Sequence, residues 1–151
     1  MAKLRHLAVA TEDPDATAQF YMDVFEFTWV RKAGGDWGYG HILTDGTMNL
    51  AVLRFTEPAA AGLEKGPGFV GLHHLGIEVD DIEGTAKRVA DAGGVERPDI
   101  DKALGIKHSG DAKGELKYEG PDGVIFDLGK PGFWQTEPKG PAPFATTRSQ
   151  A

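Results

Sequence analysis

The sequence predicts an α+β fold of two tandem βαβββ modules, residues 3–55 and 70–130, forming a cup-shaped mixed β-sheet with the helices outside. Three observations lead there. First, Leu4-Arg5-His6-Leu7-Ala8-Val9-Ala10 and Leu72-His73-His74-Leu75-Gly76-Ile77-Glu78 occupy equivalent places in a repeat. One constant offset aligns them and also matches Asp13 with Asp81, Thr17 with Thr85, Ala18 with Ala86 and Asp23 with Asp91. Self-similarity of this kind decides the architecture. Second, each copy passes from a two-residue alternation to a capped helical stretch and back to short strands. Third, a stretch rich in Ala, Pro and Gly over 56–69 separates the copies, as a linker would.

Taken in order, residues 3–11 alternate as a strand, with Leu4, His6, Ala8 and Ala10 on one face and Leu7 and Val9 on the other. Asp13-Pro14-Asp15 supplies an N-cap and an early proline, which start a helix. That helix runs to about Phe25, with Ala16, Phe20 and Val24, flanked by Tyr21 and Phe25, as the expected buried stripe. Strands follow at 27–32, 39–43 and 47–54, divided by Gly34-Gly35 and Asp45-Gly46. The second module repeats the plan. A strand at 71–79 leads to a helix opened by Asp80 and Asp81, with Ile82, Ala86, Val89 and Ala90 on one face and Gly93-Gly94 at its end. Strands are expected near 106–109, at 115–118 and at 124–128, the last two joined by Pro121-Asp122-Gly123. Residues 1–130 then form a single domain. The remainder, 131–151, holds four prolines and reads as an extended tail, with Phe133 and Trp134 docked onto the domain.

Composition excludes several functions. A net charge of −7 with scattered Lys and Arg argues against a nucleic-acid surface. Zero cysteines remove disulfides, thiolate ligands and cysteine nucleophiles together. No apolar stretch approaches the ~18 residues of a membrane span, and no basic-then-apolar leader opens the chain. The expectation is a cytoplasmic protein without membrane or nucleic-acid partners.

Strand parity decides which polar groups can meet. Val124, Phe126 and Leu128 want the helix side of their strand, leaving Ile125 and Asp127 on the other face. By the same rule Leu75 and Ile77 turn His74, Gly76 and Glu78 inward, while Leu7 and Val9 turn His6 inward. His6, His74 and Asp127 therefore share the concave side, beside the small residues Ala8, Ala10 and Gly76. Two imidazoles and one carboxylate form a minimal site for a divalent transition metal with open positions. Asn49 is a fourth candidate ligand, since Met48, Leu50 and Val52 take the helix face. Counting from the preceding glycine would put Leu50 there instead, and a slip of one residue inverts the faces. Glu78, His41 and His108 are candidates for acid–base roles, and Trp37, Tyr39, Lys117 and Tyr118 for contacts to substrate. His73 is expected on the face opposite His74, and the acidic segment at Asp99 and Asp101 as a solvated loop.

With these motifs, above all Leu72-His73-His74-Leu75-Gly76-Ile77-Glu78-Val79-Asp80-Asp81 and Gly120-Pro121-Asp122-Gly123-Val124-Ile125-Phe126-Asp127-Leu128, the chain resembles the vicinal oxygen chelate superfamily over roughly residues 3–130. That superfamily contains glyoxalase I, methylmalonyl-CoA epimerase, extradiol dioxygenases and bleomycin-resistance proteins. The resemblance implies one divalent ion per site (Fe, Ni, Co, Zn or Mn), a small oxygen-chelating substrate and a homodimer. Gly120 stands where the family usually has aspartate. Asp127 and Asn49 are each one methylene shorter than the family's Glu and Glu or Gln.

Three functions fit that resemblance. A lyase or isomerase of glyoxalase or epimerase type would work through a metal-stabilised enediolate, and the chain length favours it. An Fe(II) extradiol dioxygenase would use two His and one carboxylate and leave open positions for substrate and oxygen. A non-catalytic small-molecule binder of bleomycin-resistance type would need no ion.

Overall fold

The computed structural model describes residues 1–106 and 115–144. The first module contributes β1 (Lys3–Ala10), α1 (Pro14–Phe25), β2 (Thr28–Gly35), β3 (Gly38–Thr44) and β4 (Asn49–Phe55). The second contributes β5 (Gly71–Glu78), α2 (Ile82–Asp91), β6 (Val95–Glu96), α3 (Pro98–Ala103), β7 (Leu116–Glu119) and β8 (Ile125–Gly129). All eight strands join one mixed sheet in the order β2-β3-β4-β1-β5-β8-β7-β6. β1 runs parallel to β4, and β5 parallel to β8. The modules meet where β1 pairs antiparallel with β5, so one chain builds both halves of the cup.

The caps form as their residues dictate. Asp13 accepts a hydrogen bond from the Ala16 amide at the start of α1, and Asp81 accepts one from Gly84 at the start of α2. On the outer face, Ala18, Leu43, Leu50 and Val52 form one core with Tyr21, Met22 and Phe27. Val79, Tyr118 and Leu128 form the other with Ile82, Ala86 and Val89. Inside the cup, Ala8, Ala10, Ile42, Ala51, Leu53 and Phe55 form a third.

Four expectations change. The buried side of α1 is Pro14 and Ala18, with Tyr21 and Met22, while Phe20, Val24 and Phe25 stay half exposed. The helix is rolled because small Ala18 admits it closely to the sheet. The segment at Asp99 and Asp101 is the helix α3: Asp101 is fully buried, and Asp99 pairs with Arg97 at 2.9 Å. The second strand of module two is β6 at Val95–Glu96, whereas a strand near 106–109 would lie largely outside the described residues. Finally, the 56–69 segment is more than a tether. Ala60 and Ala61 are fully buried, and Glu64 is clamped by Arg97 at 2.7 Å.

Gly40 is forced by close approach: a methyl there would press into the Val52 carbonyl oxygen on β4. Gly40→Ala is expected to lower stability by about 1–3 kcal/mol in urea denaturation. An unchanged midpoint would show that β3 and β4 can part without cost.

Candidate metal centre

The inner strands bring the polar groups together because each faces the cup at the same level. His6 pairs across β1 and β4 with Asn49 and across β1 and β5 with Gly76; His74 pairs with Ala8, and Asp127 with Gly76 and Lys117. Across the β1–β5 ladder each histidine thus faces a residue with little or no side chain. His6 Nε2 lies 3.1 Å from His74 Nε2, and His74 Nε2 lies 3.1 Å from Asp127 Oδ2. Glu115 completes a group of four whose ligand atoms all lie within 4.8 Å of one another. His6, His74 and Asp127 are all buried.

Hydrogen-bond bookkeeping fixes where the protons are. His73 Nε2 sits 2.8 Å from the Ala61 carbonyl, which only accepts, so Nε2 carries the proton. Burial holds the His73 pKa down to about 4, so the ring is neutral and its Nδ1 is a bare acceptor. His74 Nδ1, 2.7 Å away, must then donate to it. Burial, with Lys117 and the other imidazoles, keeps His74 well below its usual range, so its Nε2 has no proton. The other side mirrors this. Asn49 Nδ2 donates to the Gln135 carbonyl at 2.8 Å, which turns Asn49 Oδ1 toward His6 Nδ1 at 2.6 Å. His6 donates there; its pKa is lowered by burial, and its Nε2 is bare.

Three lone-pair atoms therefore converge without a proton among them. Asp127 Oδ2 accordingly has no hydrogen-bond partner among the described residues, although His74 is close. Such an arrangement is repulsive, and a cation between the atoms would relieve it. Two ligands about 2.1 Å from one ion at a right angle are about 3 Å apart, so the observed 3.1 Å spacing fits. The donor set, two neutral imidazoles with carboxylates, suits a divalent transition metal. The other carboxylate oxygen, Oδ1, receives the Lys117 ammonium at 2.7 Å, and Lys117 is only 1 % exposed. Burial and the charge of Asp127 raise the Glu115 pKa.

Above the cluster opens a cleft of about 230 Å³, walled by Trp37, Ile42, Leu53, Phe55 and Leu104, with Arg31 among the polar lining. Trp134, from the tail, stacks on His6 with centroids 5.3 Å apart and planes 10° from parallel. Its indole packs where Gly76 and Gly129 leave room, and its Nε1–H is buried with no partner among the described residues.

The expected site residues divide accordingly. His6, His74, Asp127 and Lys117 meet at the base of the cleft, and Trp37 lines it. Asn49, not Leu50, faces the cup, but its oxygen receives His6 Nδ1–H, so it orients that ring and Glu115 stands as the fourth oxygen group. His41 lies on the outer face, donating to Asp15 at 2.6 Å and accepting from Trp29 at 3.2 Å; it ties α1 to the sheet. Tyr39 shares that outer face and is 45 % exposed. Tyr118 turns outward and stacks on Phe126. Glu78 lies near Gly132 and Arg5 at the end of β5, away from the cluster. His108 is outside the described residues. Trp134 docks as expected, but its seat against His6 was not anticipated, nor were Glu115 and the buried role of His73. Glu115 was within reach, since it shares strand parity with Lys117 opposite Asp127.

A family model, the Glyoxalase/Bleomycin resistance protein/Dioxygenase superfamily, matches residues 3–128. The chain belongs to that superfamily. Solved structures share the fold at low identity. A methylmalonyl-CoA epimerase in complex with methylmalonyl-CoA and NH4+ is 20 % identical, with a TM-score of 0.66 over 91 % of this chain and 99 % of its own. A hypothetical protein from Bacillus halodurans C-125 is 18 % identical, with a TM-score of 0.66 over 85 % and 94 %. The methylmalonyl-CoA epimerase of Mycobacterium tuberculosis is 16 % identical, with a TM-score of 0.57 over 85 % and 87 %. No curated protein sequence matches significantly. Among the described residues, no helix is long and apolar enough to cross a membrane.

Proposed function

We propose that this chain is a metal-dependent enzyme acting on a small substrate with neighbouring oxygens, a lyase or isomerase of the glyoxalase or epimerase kind. The observation that carries this reading is the meeting of three proton-free donor atoms, His6 Nε2, His74 Nε2 and Asp127 Oδ2, at the base of a cleft. A divalent ion held there would supply Lewis acidity toward a substrate carbonyl and so acidify the adjacent C–H. The protein's own groups do the rest. Asp127, half neutralised by Lys117, leaves the site its positive charge. Glu115, with its raised proton affinity, is placed to exchange a proton beside the cluster. Trp134 Nε1–H, without a partner among the described residues, would donate to a substrate oxygen, and the walls include Trp37, Leu53 and Phe55. A homodimer in the cytoplasm is the expected working form.

A second reading is a binder without metal. It draws on one observation, the Lys117 ammonium already resident on Asp127.

One experiment separates them. Metal content is measured on protein purified without oxygen, together with His6→Ala and Asp127→Ala. In parallel, α-proton exchange from deuterated water is followed with methylmalonyl-CoA as the probe. Stoichiometric Ni, Co, Zn or Mn, lost in both variants and required for exchange, is the expected result. Iron with oxygen uptake would move the chain to the dioxygenases. Absence of metal after reconstitution would leave the binder.

A further inference from the structure

The β1–β5 ladder is irregular at two points, and the second lies at the cluster: Ala8 pairs with His74, but Val9 pairs with Leu72, leaving His73 as the extra residue of a bulge. A bulge re-aims the side chain it carries. Here it takes His73 away from solvent, to 4 % exposure, between Phe55 (4.6 Å) and Phe69 (5.8 Å). Its two ring nitrogens are both engaged, one by the Ala61 carbonyl and the other by His74. We propose that His73 is a positioning residue that locks His74 in the tautomer with a bare Nε2, and that the 56–69 segment governs the metal centre through it.

The physical reason lies in the alternative open to His74. If Nδ1 loses its acceptor, the ring gains by moving its proton to Nε2, where Asp127 Oδ2, without a hydrogen-bond partner among the described residues, waits 3.1 Å away. That switch satisfies both groups and removes two of the three lone pairs at once. His73 prevents it by accepting at Nδ1, and it can accept only because Ala61 holds its own proton at Nε2. Ala61 is itself fully buried, and Arg97 on Glu64 anchors the same segment to the second module. The segment between modules therefore sets the protonation pattern of His74 through His73. Outer partners of metal-bound histidines commonly change metal affinity 10–100-fold.

The test begins on metal-free protein, so that it stands apart from the proposed function on which the affinity arm rests. Histidine is labelled with 15N, and two-bond 1H–15N correlations assign the tautomer of His74. Wild type should show a protonated Nδ1 and a bare Nε2. His73→Phe, which keeps the ring between Phe55 and Phe69, should move the proton to Nε2. His73→Gln, whose side-chain oxygen can accept from Nδ1, should restore the wild-type pattern. Cobalt(II) affinity, read by competition with a chromophoric chelator, should fall 10–100-fold in His73→Phe and recover in His73→Gln. An unchanged His74 tautomer in a folded His73→Phe overturns the proposal, as does an unchanged affinity. A proton that moves in a protein binding no cobalt at all supports the tautomer lock while sinking the metal-dependent enzyme.

Discussion

Asp127→Asn is expected to cost about 3–5 kcal/mol of stability and to abolish tight metal binding. Lys117 and Asp127 are respectively 1 % and 0 % exposed, and the ammonium sits 2.7 Å from Oδ1. Removing one partner of such a pair strands the other charge in a medium that solvates it poorly. Glu115 lies beside the same cluster and offers Lys117 a lesser partner, which places the expected loss at the low end of that range. Lys117→Met should be similarly destabilising, since it leaves the carboxylate alone. The double variant Lys117→Met with Asp127→Leu removes both charges, and its stability should return to within about 1–2 kcal/mol of wild type. Its metal affinity should not return, because the ligand oxygen is gone. Urea denaturation of wild type, Lys117→Met, Asp127→Leu and the double variant, each with a metal titration, closes the cycle. Additive single effects would show that the ion pair is not the unit that folds. Metal retained in the double variant would remove Asp127 from the site.

The pair also shows what the sequence makes legible. Strand alternation placed His6, His74 and Asp127 on one face because β1, β5 and β8 are central strands with one apolar side against a helix, so the pattern has a single solution. The same rule failed at His73, where one unpaired residue shifts the parity and nothing in the composition announces a bulge. It failed for His41 because β3 is buried on both faces, with Ile42 in the cup and Leu43 under α1, so alternation carries no direction. Glycine spacing pointed to Leu50 and the apolar alternation to Asn49; register follows the alternation, since parallel pairing puts Asn49 opposite His6. The tail had no periodicity to read. Trp134 and Gln135 reach the site through long-range packing, through the space above Gly76 and the side chain of Asn49. The helix α3 did carry a signal, Pro98 followed by Asp99 at its start, outweighed by the charge around it.

Acid should unfold the metal-free protein well before its carboxylates titrate. Burial holds His73 down to about 4 against an ordinary 6.5, and it lowers His6 and His74 as well. A group depressed in the folded state adds nothing above its unfolded value and becomes a penalty below it, because only the unfolded chain takes up the proton. His73 alone should therefore cost about 3 kcal/mol once the pH has fallen from 6.5 to 4. Glu115 works the other way. Burial and Asp127 raise its proton affinity, so the native state binds that proton first and gains as pH falls toward 4.5. One proton opposes as many as three, and the net slope remains destabilising. The depressed carboxylates occupy a lower window: Glu64, held to about 2 by Arg97, matters only below its ordinary 4.5. Between pH 6.5 and 5 the histidines thus set the slope, with Glu115 opposing them. Urea midpoints measured with a chelator present should drop steadily across that interval, at about 1.4 kcal/mol per pH unit for each net proton. In His73→Phe the slope should be shallower by the share of that one ring. A flat profile from pH 7 to 5 would mean that the three imidazoles are already solvated in the folded state, and the proton-free cluster would go with them.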